Sequence, residues 1–374
     1  MSDAPNPQEK DLDIPEEPLA VSVLTGFLGS GKTTLLRHLL ADPAMEETAV
    51  IVNEFGEIGL DHLLVEQATE DTVLLNSGCL CCTVRGDLVT GMRDLFRRRV
   101  QREVPPFKRL VIETTGLADP APILQTLMTD PLLSNRFRLD GVITTVDAVN
   151  GWETLDKQRE SVKQAAVADR ILLTKRDIAD AETCEALEER LQQLNPAAPI
   201  YPSVQGAVSP DLLFNAGLYD PEKKTADVRA WLKAEAYDHD GGHHGHAHSH
   251  DHDHTHDHEH DHGHDVNRHD ASIRAFCLTY DKPLDWDRFN SWIEMLITLY
   301  GANILRIKGL LNVAEVAQPI VIHGVQHVFH PPVRLEAWPD DSRESRLVFI
   351  VRDLKPEMFE HTLKAFNEDS AAPV

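Results

Sequence analysis

A short apolar run, a glycine-rich loop and a helix-forming stretch follow one another near the start of the chain, and this succession limits the fold more than any other feature. The apolar run is VSVL at residues 21–24, and the loop reads Gly26-Phe-Leu-Gly-Ser-Gly31-Lys32-Thr33. This spacing fits G-x-x-x-x-G-K-[ST], in which glycines let backbone N–H groups surround a phosphate at the start of a helix. We therefore expect a doubly wound α/β domain with a mainly parallel sheet of the P-loop type.

Further apolar runs extend this pattern to about residue 203. TAVIV (48–52), RLVIE (109–113), GVITTVD (141–147), RILLT (170–174) and PIYPS (199–203) have the near-continuous hydrophobicity of strands that are covered on both faces. Amphipathic stretches between them predict helices at 33–40, 85–99, 122–129 and 183–194. The alternation indicates βαβ units, and we assign 19–236 to one nucleotide-binding domain.

Composition changes abruptly at residue 237. Residues 238–270 contain 14 of the 20 histidines, interleaved with Asp, Gly and Glu, and almost no apolar residue. Such a segment cannot bury a core, so we predict a disordered linker at 237–270 and a disordered start at 1–18. Beyond the linker, SIRAFCLTYD, RIKGLLNV, PIVIHGVQHVFH, VRLEAW and RLVFIVRD predict strands, and DWDRFNSWIEMLITLY and KPEMFEHTLKAFNE predict helices. These elements indicate a smaller α+β domain at 271–374.

Charge and the apolar pattern narrow the class of partner. The formal net charge of −25 disfavours binding to nucleic acid or to an anionic membrane surface. The acidic start lacks the pattern of a secretory signal, and no apolar run approaches the ~18 residues of a membrane span. We expect a cytoplasmic protein with reduced thiols, and cations as its small partners. The oligomeric state does not follow from the sequence.

The glycine loop supplies most of the candidate nucleotide ligands. Lys32 is expected to reach the β- and γ-phosphates, and the Thr33 hydroxyl is expected to ligate Mg²⁺. The predicted phosphate cradle consists of Gly26, Gly29, Ser30, Gly31, Lys32, Thr33 and Thr34.

Two later segments complete this site. Thr174-Lys175-Arg176-Asp177 matches the N/T-K-x-D pattern of a guanine-reading loop, in which Asp177 accepts hydrogen bonds from guanine N1–H and N2–H₂ and Lys175 lies along the ring. Thr174 stands where Asn is usual, so contacts of an amide are lost and moderate affinity is expected. Glu113-Thr-Thr-Gly116 matches a Walker-B and switch position, with Glu113 holding Mg²⁺ through water and the Gly116 N–H sensing the γ-phosphate.

These residues predict a GTPase whose catalytic side chains are Lys32, Thr33 and Glu113. A second switch is expected at 53–57. No residue stands out as an arginine finger or water-positioning base, so unassisted turnover is expected to be slow, on the order of 10⁻⁴ to 10⁻² per second.

Gly78-Cys79-Leu80-Cys81-Cys82 places three thiols within four residues. Three thiolates around a divalent ion leave one tetrahedral position open, which suits exchange, and sulfur selects Zn²⁺, Cu⁺ or Co²⁺ over Mg²⁺ and Ca²⁺. Buried apolar cysteines and a redox pair are the alternatives. Cys79, Cys81 and Cys82 lie between the two predicted switches, so we hypothesise that the nucleotide changes metal affinity.

Imidazoles at every second residue from His244 to His264 offer many overlapping sites for Zn²⁺, Ni²⁺, Co²⁺ or Cu²⁺. We hypothesise that the tract collects metal for the cysteines; an inert linker is the alternative. His323, His327 and His330 are interpreted as histidines on the surface of a strand rather than as ligands.

GFLGSGKTT, NEFGEIGLD, GCLCC, ETTGLADP and LLTKRD, in this order, resemble the CobW family of P-loop GTPases, relatives of the nickel-insertion GTPases of urease and hydrogenase. Residues 21–203 resemble the GTPase domain of the family and 271–353 its C-terminal domain. The resemblance implies a metallochaperone that binds metal through Cys79, Cys81 and Cys82 and delivers it to apo-forms of client metalloproteins as GTP is hydrolysed. It also implies an extra metal contact at Glu57.

TGLADPAPILQT and LLTKRD are closer to the zinc branch of the family than to the cobalt branch, so Zn²⁺ is the expected cargo. Cobalt delivery for cobalamin synthesis is the nearest alternative. A P-loop kinase and a passive metal store with a regulatory nucleotide site are the rival functions.

Overall fold

The structure is a computed structural model that describes residues 13–52, 73–76, 84–214 and 273–367, with the backbone alone at 73–76 and 84–87. Elements are numbered in chain order within these residues. They form an N-terminal domain around a parallel sheet and a C-terminal domain around an antiparallel sheet.

The N-terminal sheet has seven strands in the order β3-β2-β4-β1-β5-β6-β7, and every pairing is parallel. The strands are β1 (Leu19–Gly26), β2 (Thr48–Val52), β3 (Val73–Asn76), β4 (Arg109–Glu113), β5 (Phe137–Asp147), β6 (Arg170–Thr174) and β7 (Ile200–Ser203). The helices of this domain are α1 (Lys32–Leu40), α2 (Val84–Val100), α3 (Ala121–Thr129), α4 (Pro131–Arg136), α5 (Gly151–Lys157), α6 (Arg159–Ala166), α7 (Ala181–Leu194) and α8 (Pro210–Leu213).

Side chains of β1 point alternately to the two faces of the sheet, and helices cover both faces. Val21 and Val23 pack with Met92 of α2 and Leu124 of α3, whereas Leu24 packs with α1 on the opposite face. All eight residues of β1 are buried, as expected for the central strand of a doubly wound sheet. The expected fold class is therefore confirmed.

The predicted strand bounds agree with the structure at β2, β4 and β6, and they are too short at β1 and β5. Strand β5 begins at Phe137, which pairs with Leu19 of β1, rather than at residue 141. Asp140 is buried within this added part of the strand and accepts a hydrogen bond from Ser22 at 3.1 Å. Strand β3 and helices α4, α5, α6 and α8 were not predicted, because each is too short for a clear hydrophobic period.

The C-terminal domain consists of β8 (Ile273–Tyr280), α9 (Trp286–Tyr300), β9 (Ile304–Leu311), β10 (Ile320–Val325), β11 (Val328–Phe329), β12 (Val333–Arg334), β13 (Ser345–Arg352) and α10 (Pro356–Asn367). Strands β11, β10, β9, β13 and β8 are neighbours in that order, and α9 and α10 cover the aromatic face of the sheet. The prediction of a single strand over 319–330 is wrong. The chain reverses at Gln326, which has φ 52°, and forms the hairpin β10–β11.

The two domains are joined by packing and by buried charge. Ala166 at the end of α6 packs with Leu305 and Ile350. Arg306 of β9 donates to the Asp169 carboxylate, and Lys308 lies 3.3 Å from the same carboxylate. No helix among the described residues is long and apolar enough to cross a membrane.

Candidate functional site

The glycine loop turns between β1 and α1 at the carboxyl edge of the parallel sheet. Gly26 has φ 143°, and a Cβ there would lie 2.3 Å from the Thr145 Oγ1 atom, so no other residue fits. Gly31 has φ 93° and begins α1 as its N-cap residue. The loop thus brings the amino end of a helix to the edge of the sheet, where an anion is stabilised.

Lys32 is the first residue of α1 and is largely buried. Its Nζ atom donates to the carbonyl oxygens of Gly26 at 2.9 Å and of Phe27 at 3.1 Å. The ammonium group therefore lies inside the curve of the loop, where it can neutralise a bound phosphate.

Thr33 and Glu113 come together from separate elements. The Thr33 hydroxyl donates to Glu113 Oε1 at 3.0 Å, and Glu113 ends β4 next to β1 in the register Leu24↔Glu113. A hydroxyl and a carboxylate are the hard oxygen ligands that Mg²⁺ prefers. This donor set fits a magnesium ion, with Thr33 and Glu113 as the residues that would hold it.

A cleft of about 360 Å³ opens over these groups. It is lined by Leu28, Gly29, Gly31, Lys32, Thr33, Thr34, Glu113, Thr114, Thr115, Gly116 and Lys175. Predicted phosphate and magnesium residues thus share one cavity with Lys175 of the base loop, whereas Gly26, Ser30, Thr174 and Asp177 do not line it. A neighbouring cleft of about 170 Å³ includes Ser30 and Lys175.

Hydroxyl groups join the phosphate loop and the strand ends next to it by hydrogen bonds. Ser30 and Thr145 hydroxyls lie 2.6 Å apart, and the Thr114 hydroxyl donates to the Thr25 hydroxyl at 2.8 Å. The Thr174 hydroxyl donates to the Ser30 carbonyl at 2.8 Å. Adjacent strand ends and the loop are therefore held in one hydrogen-bonded layer.

The contact of Thr174 adds a structural role to the one that its sequence pattern predicts. The sequence pattern predicts Thr174 as a nucleotide-binding residue of the guanine-reading loop, in the place where Asn is usual. Its side chain is buried and bonds to the phosphate loop, which no local pattern reveals because the two residues are 144 positions apart.

Lys175 lies beside this contact with a left-handed backbone, at φ 59°. Its Nζ atom lies 2.7 Å from Asp147 Oδ2, which also accepts a hydrogen bond from Asn150. Burial by itself would raise the pKa of Asp147, but these hydrogen bonds and that of the Val149 N–H outweigh it and lower the pKa. Asp147 is therefore an ionised partner that positions Lys175, and the sequence analysis did not identify it.

Asp177 is exposed two residues further on, where its carboxylate is accessible to a ligand. A carboxylate at this place can accept two N–H groups from one edge of guanine.

The turn after Glu113 is held by helix α6. Gln164 Nε2 donates to the carbonyls of Gly116 at 3.1 Å and Ala118 at 3.0 Å. Gln164 could not be predicted from the sequence, because a glutamine in an amphipathic helix gives no signal of what it contacts.

The predicted soft-metal ligands lie outside the described residues. These are Cys79, Cys81 and Cys82, the histidines from His244 to His264, and the metal contact implied at Glu57. The predicted switch at 53–57 also lies outside the described residues. Cys184 is buried in the core and Cys277 is partly exposed on β8. Among the residues that the structure describes, no group of three or more His, Cys, Asp or Glu side chains could hold a metal ion.

The interpretation of His330 as a surface histidine is wrong. His330 is 8% exposed, and burial lowers its pKa from 6.5 to about 4. His323 pairs with Lys308 between β10 and β9, and burial, followed by the charge of Lys308, lowers its pKa well below the usual value.

Comparison with known proteins assigns the chain to a family. The CobW/HypB/UreG nucleotide-binding domain matches residues 20–202, and the cobalamin synthesis protein cobW C-terminal domain matches 273–367. The chain is 34% identical over 340 residues to the zinc chaperone YjiA of Escherichia coli (strain K12), with 91% of this chain and 96% of that protein covered. The chain belongs to the CobW family.

Two further CobW relatives are informative. The zinc chaperone CobW of Pseudomonas aeruginosa is 36% identical over 228 residues, which are 52% of this chain and 59% of that protein. The crystal structure of Zn(II)-bound YjiA GTPase from E. coli superposes with a TM-score of 0.67 at 30% identity, covering 94% of this chain and 100% of that one. Both domains of this CobW protein are therefore shared with a solved relative.

Proposed function

We propose that this CobW protein is a GTP-hydrolysing zinc chaperone that binds Zn²⁺ through Cys79, Cys81 and Cys82 and transfers it to client metalloproteins. The observation that carries the proposal is the cleft in which Lys32, the Thr33–Glu113 pair and Lys175 converge. Relatives that carry the name zinc chaperone support zinc as the cargo.

In the proposed mechanism, the phosphate loop and Lys32 bind the triphosphate. Thr33 and Glu113 would hold Mg²⁺, which supplies positive charge to the phosphate oxygens when it is bound. Asp177 selects guanine through its N1–H and N2–H₂ groups, and Lys175, held by Asp147, covers the face of the ring. The Gly116 N–H faces the γ-phosphate and distinguishes GTP from GDP.

The proposed zinc site follows a strand that ends beside the nucleotide cleft. Asn76, the last residue of β3, pairs with Val52, and Val52 pairs with Glu113. Asn76 and Glu113 therefore lie at the same level of the sheet, two strand spacings or about 10 Å apart. The chain from Asn76 to the start of α2 at Val84 contains all three cysteines.

This arrangement supports a link between nucleotide and zinc. Three thiolates leave one tetrahedral position for a recipient's ligand, which suits transfer rather than storage. A coupling of ~1–3 kcal/mol between the two ligands would change zinc affinity by roughly 5–150-fold. The histidine tract at 237–270 raises the local zinc concentration in this scheme, and we place the protein in the cytoplasm.

The test is a zinc titration against a chromogenic chelator with the protein in nucleotide-free, GDP-bound and GTP-analogue-bound states. We expect the affinity to depend on the nucleotide, and we expect the Cys81→Ser variant to lose tight zinc binding while it still hydrolyses GTP. Cys277→Ser is the matched control, because it removes a thiol from β8 in the other domain.

Transfer is measured separately with a zinc-dependent apoenzyme as the acceptor. Regained acceptor activity should require GTP and should be lost in Lys32→Ala. Equal zinc affinity in all three nucleotide states, together with equal zinc transfer by the wild type and Lys32→Ala, would indicate that the protein is a passive store. Deletion of 239–264 should lower the zinc stoichiometry and leave GTP hydrolysis unchanged.

A further inference from the structure

Helix α6 contacts the nucleotide cleft with a buried amide. Gln164 has no exposed surface, and its Nε2 atom donates to the Gly116 and Ala118 carbonyls. Its Oε1 atom is buried and accepts no hydrogen bond from the part of the chain that the structure describes. A reversed amide would place this oxygen against two carbonyl oxygens, so the donor orientation is the stable one.

The two accepting carbonyls belong to the turn that follows Glu113. In this turn the Ala118 N–H donates to the Thr115 carbonyl at 3.1 Å. Because a trans peptide points its N–H away from its carbonyl, this bond also fixes the direction of the Gly116 N–H. Gln164 holds the turn from one side, and the Lys163–Asp119 ion pair, at 2.7 Å, holds it from the solvent side.

The turn packs closely against the phosphate loop at Gly116. A Cβ atom on Gly116 would lie 2.6 Å from the backbone nitrogen of Leu28 in the phosphate loop. A shift of the turn therefore changes the space available at the γ-phosphate end of the cleft.

The carboxyl end of α6, three residues beyond Gln164, is held by the C-terminal domain. Arg306 of β9 donates to the Val167 carbonyl and to the Asp169 carboxylate, and both Arg306 and Asp169 are buried. Gln164 and Val167 are about 4.5 Å apart along the helix axis, at 1.5 Å per residue, so the interdomain contact lies within one helical turn of the residue that holds the Gly116 turn.

We propose that Gln164 is a positioning residue that sets the Gly116 turn for the γ-phosphate, and that α6 links this turn to the C-terminal domain through Arg306. This inference rests on the proposed GTPase function and adds a means of regulation to it. A client or metal that shifts the C-terminal domain would thereby change the preference of the cleft for GTP over GDP.

The experiment compares the affinities of the full-length protein for fluorescent GDP and for a fluorescent non-hydrolysable GTP analogue, together with kcat and KM for GTP. Gln164→Met keeps the volume and removes both donors. We expect the GTP-analogue affinity to fall about tenfold relative to GDP, as loss of two hydrogen bonds implies. The value of kcat for GTP should fall together with the affinity for the GTP analogue, while the affinity for GDP is retained.

Gln192→Met is the matched control, since Gln192 lies on α7 and its amide bonds only the nearby Pro196 carbonyl among the contacts described. It should leave the affinity ratio unchanged. If Gln164→Met does not fold, Lys163→Met decides the matter, because it weakens the same turn from a partly exposed position. Arg306→Met tests the interdomain link and should lower the ratio in the same direction.

An unchanged ratio in folded Gln164→Met overturns the role of Gln164, and an unchanged ratio in Lys163→Met overturns the dependence of the GTP preference on the position of the turn. An unchanged ratio in Arg306→Met overturns the interdomain link. These results differ from failure of the proposed function, in which the wild-type protein would not hydrolyse GTP or bind zinc.

Discussion

The hydrogen bond from Thr174 to the phosphate loop leads to a quantitative prediction for Thr174→Val. Valine keeps the shape of the side chain but removes the hydroxyl, which donates to Ser30 at 2.8 Å and lies 3.2 Å from the Val146 carbonyl. Because Thr174 and Ser30 are both buried, the carbonyl that loses its donor costs ~1–3 kcal/mol of unfolding free energy.

This change should weaken nucleotide binding without changing base preference. The Thr174 hydroxyl points to the phosphate loop, so its loss loosens the cradle for GDP and GTP alike. A loss of about 1.4 kcal/mol in the binding free energy corresponds to tenfold weaker affinity. The preference for guanine over adenine should stay as in the wild type, because Asp177 and Lys175 are unchanged.

Titration with fluorescent GDP, followed by competition with GTP and ATP, measures both quantities. Thr174→Ser is the control, since it keeps the hydroxyl and should retain nearly full affinity. The reasoning is refuted if Thr174→Val binds GDP as tightly as the wild type. It is also refuted if the variant loses guanine preference while phosphate binding is retained, since Thr174 would then act on the base.

Three further predictions follow from single residues. The pKa of His330 is about 4 in the folded state and near 6.5 in the unfolded state, so between these values only the unfolded state binds the proton. Stability should therefore fall by up to about 3 kcal/mol as the pH drops from 6.5 to 4, and His330→Gln should flatten this loss in denaturant unfolding curves. Gly116→Ala should abolish GTP hydrolysis in a steady-state phosphate-release assay with little change in far-UV circular dichroism, because the new methyl group meets the Leu28 backbone; normal turnover would contradict this geometry. Asp177→Asn should exchange guanine preference for xanthine preference in competition binding, because its amide donates where the carboxylate accepts; retained guanine preference would show that another residue reads the base.

Much of the nucleotide site was predictable because its ligands are neighbours in sequence. Gly26, Gly31, Lys32 and Thr33 lie within eight residues, and their spacing alone requires a strand, a tight loop and a helix. The parallel sheet followed from buried strands with continuous apolar runs. Glu113 and Asp177 could be proposed as ligands because Glu113 ends such a strand and Asp177 follows another by three residues.

Tertiary structure decided which distant side chains support these ligands. Gln164 bonds to Gly116 across 48 positions, and Arg306 reaches Asp169 across 137. Burial of Asp140 and His330 was likewise not predictable from the sequence, because both side chains are polar and yet lie in the interior of the fold.

Sequence by itself determined the elements that short-range chemistry specifies: the phosphate loop, the strand and helix alternation, and the family to which they belong. Only the folded chain decided that Thr174 supports the loop, that Asp147 orients Lys175, and that α6 connects the Gly116 turn to the C-terminal domain. The physical reason is that local backbone preferences act over a few residues. A buried polar side chain instead takes the partner that packing brings to it, and packing depends on the whole domain.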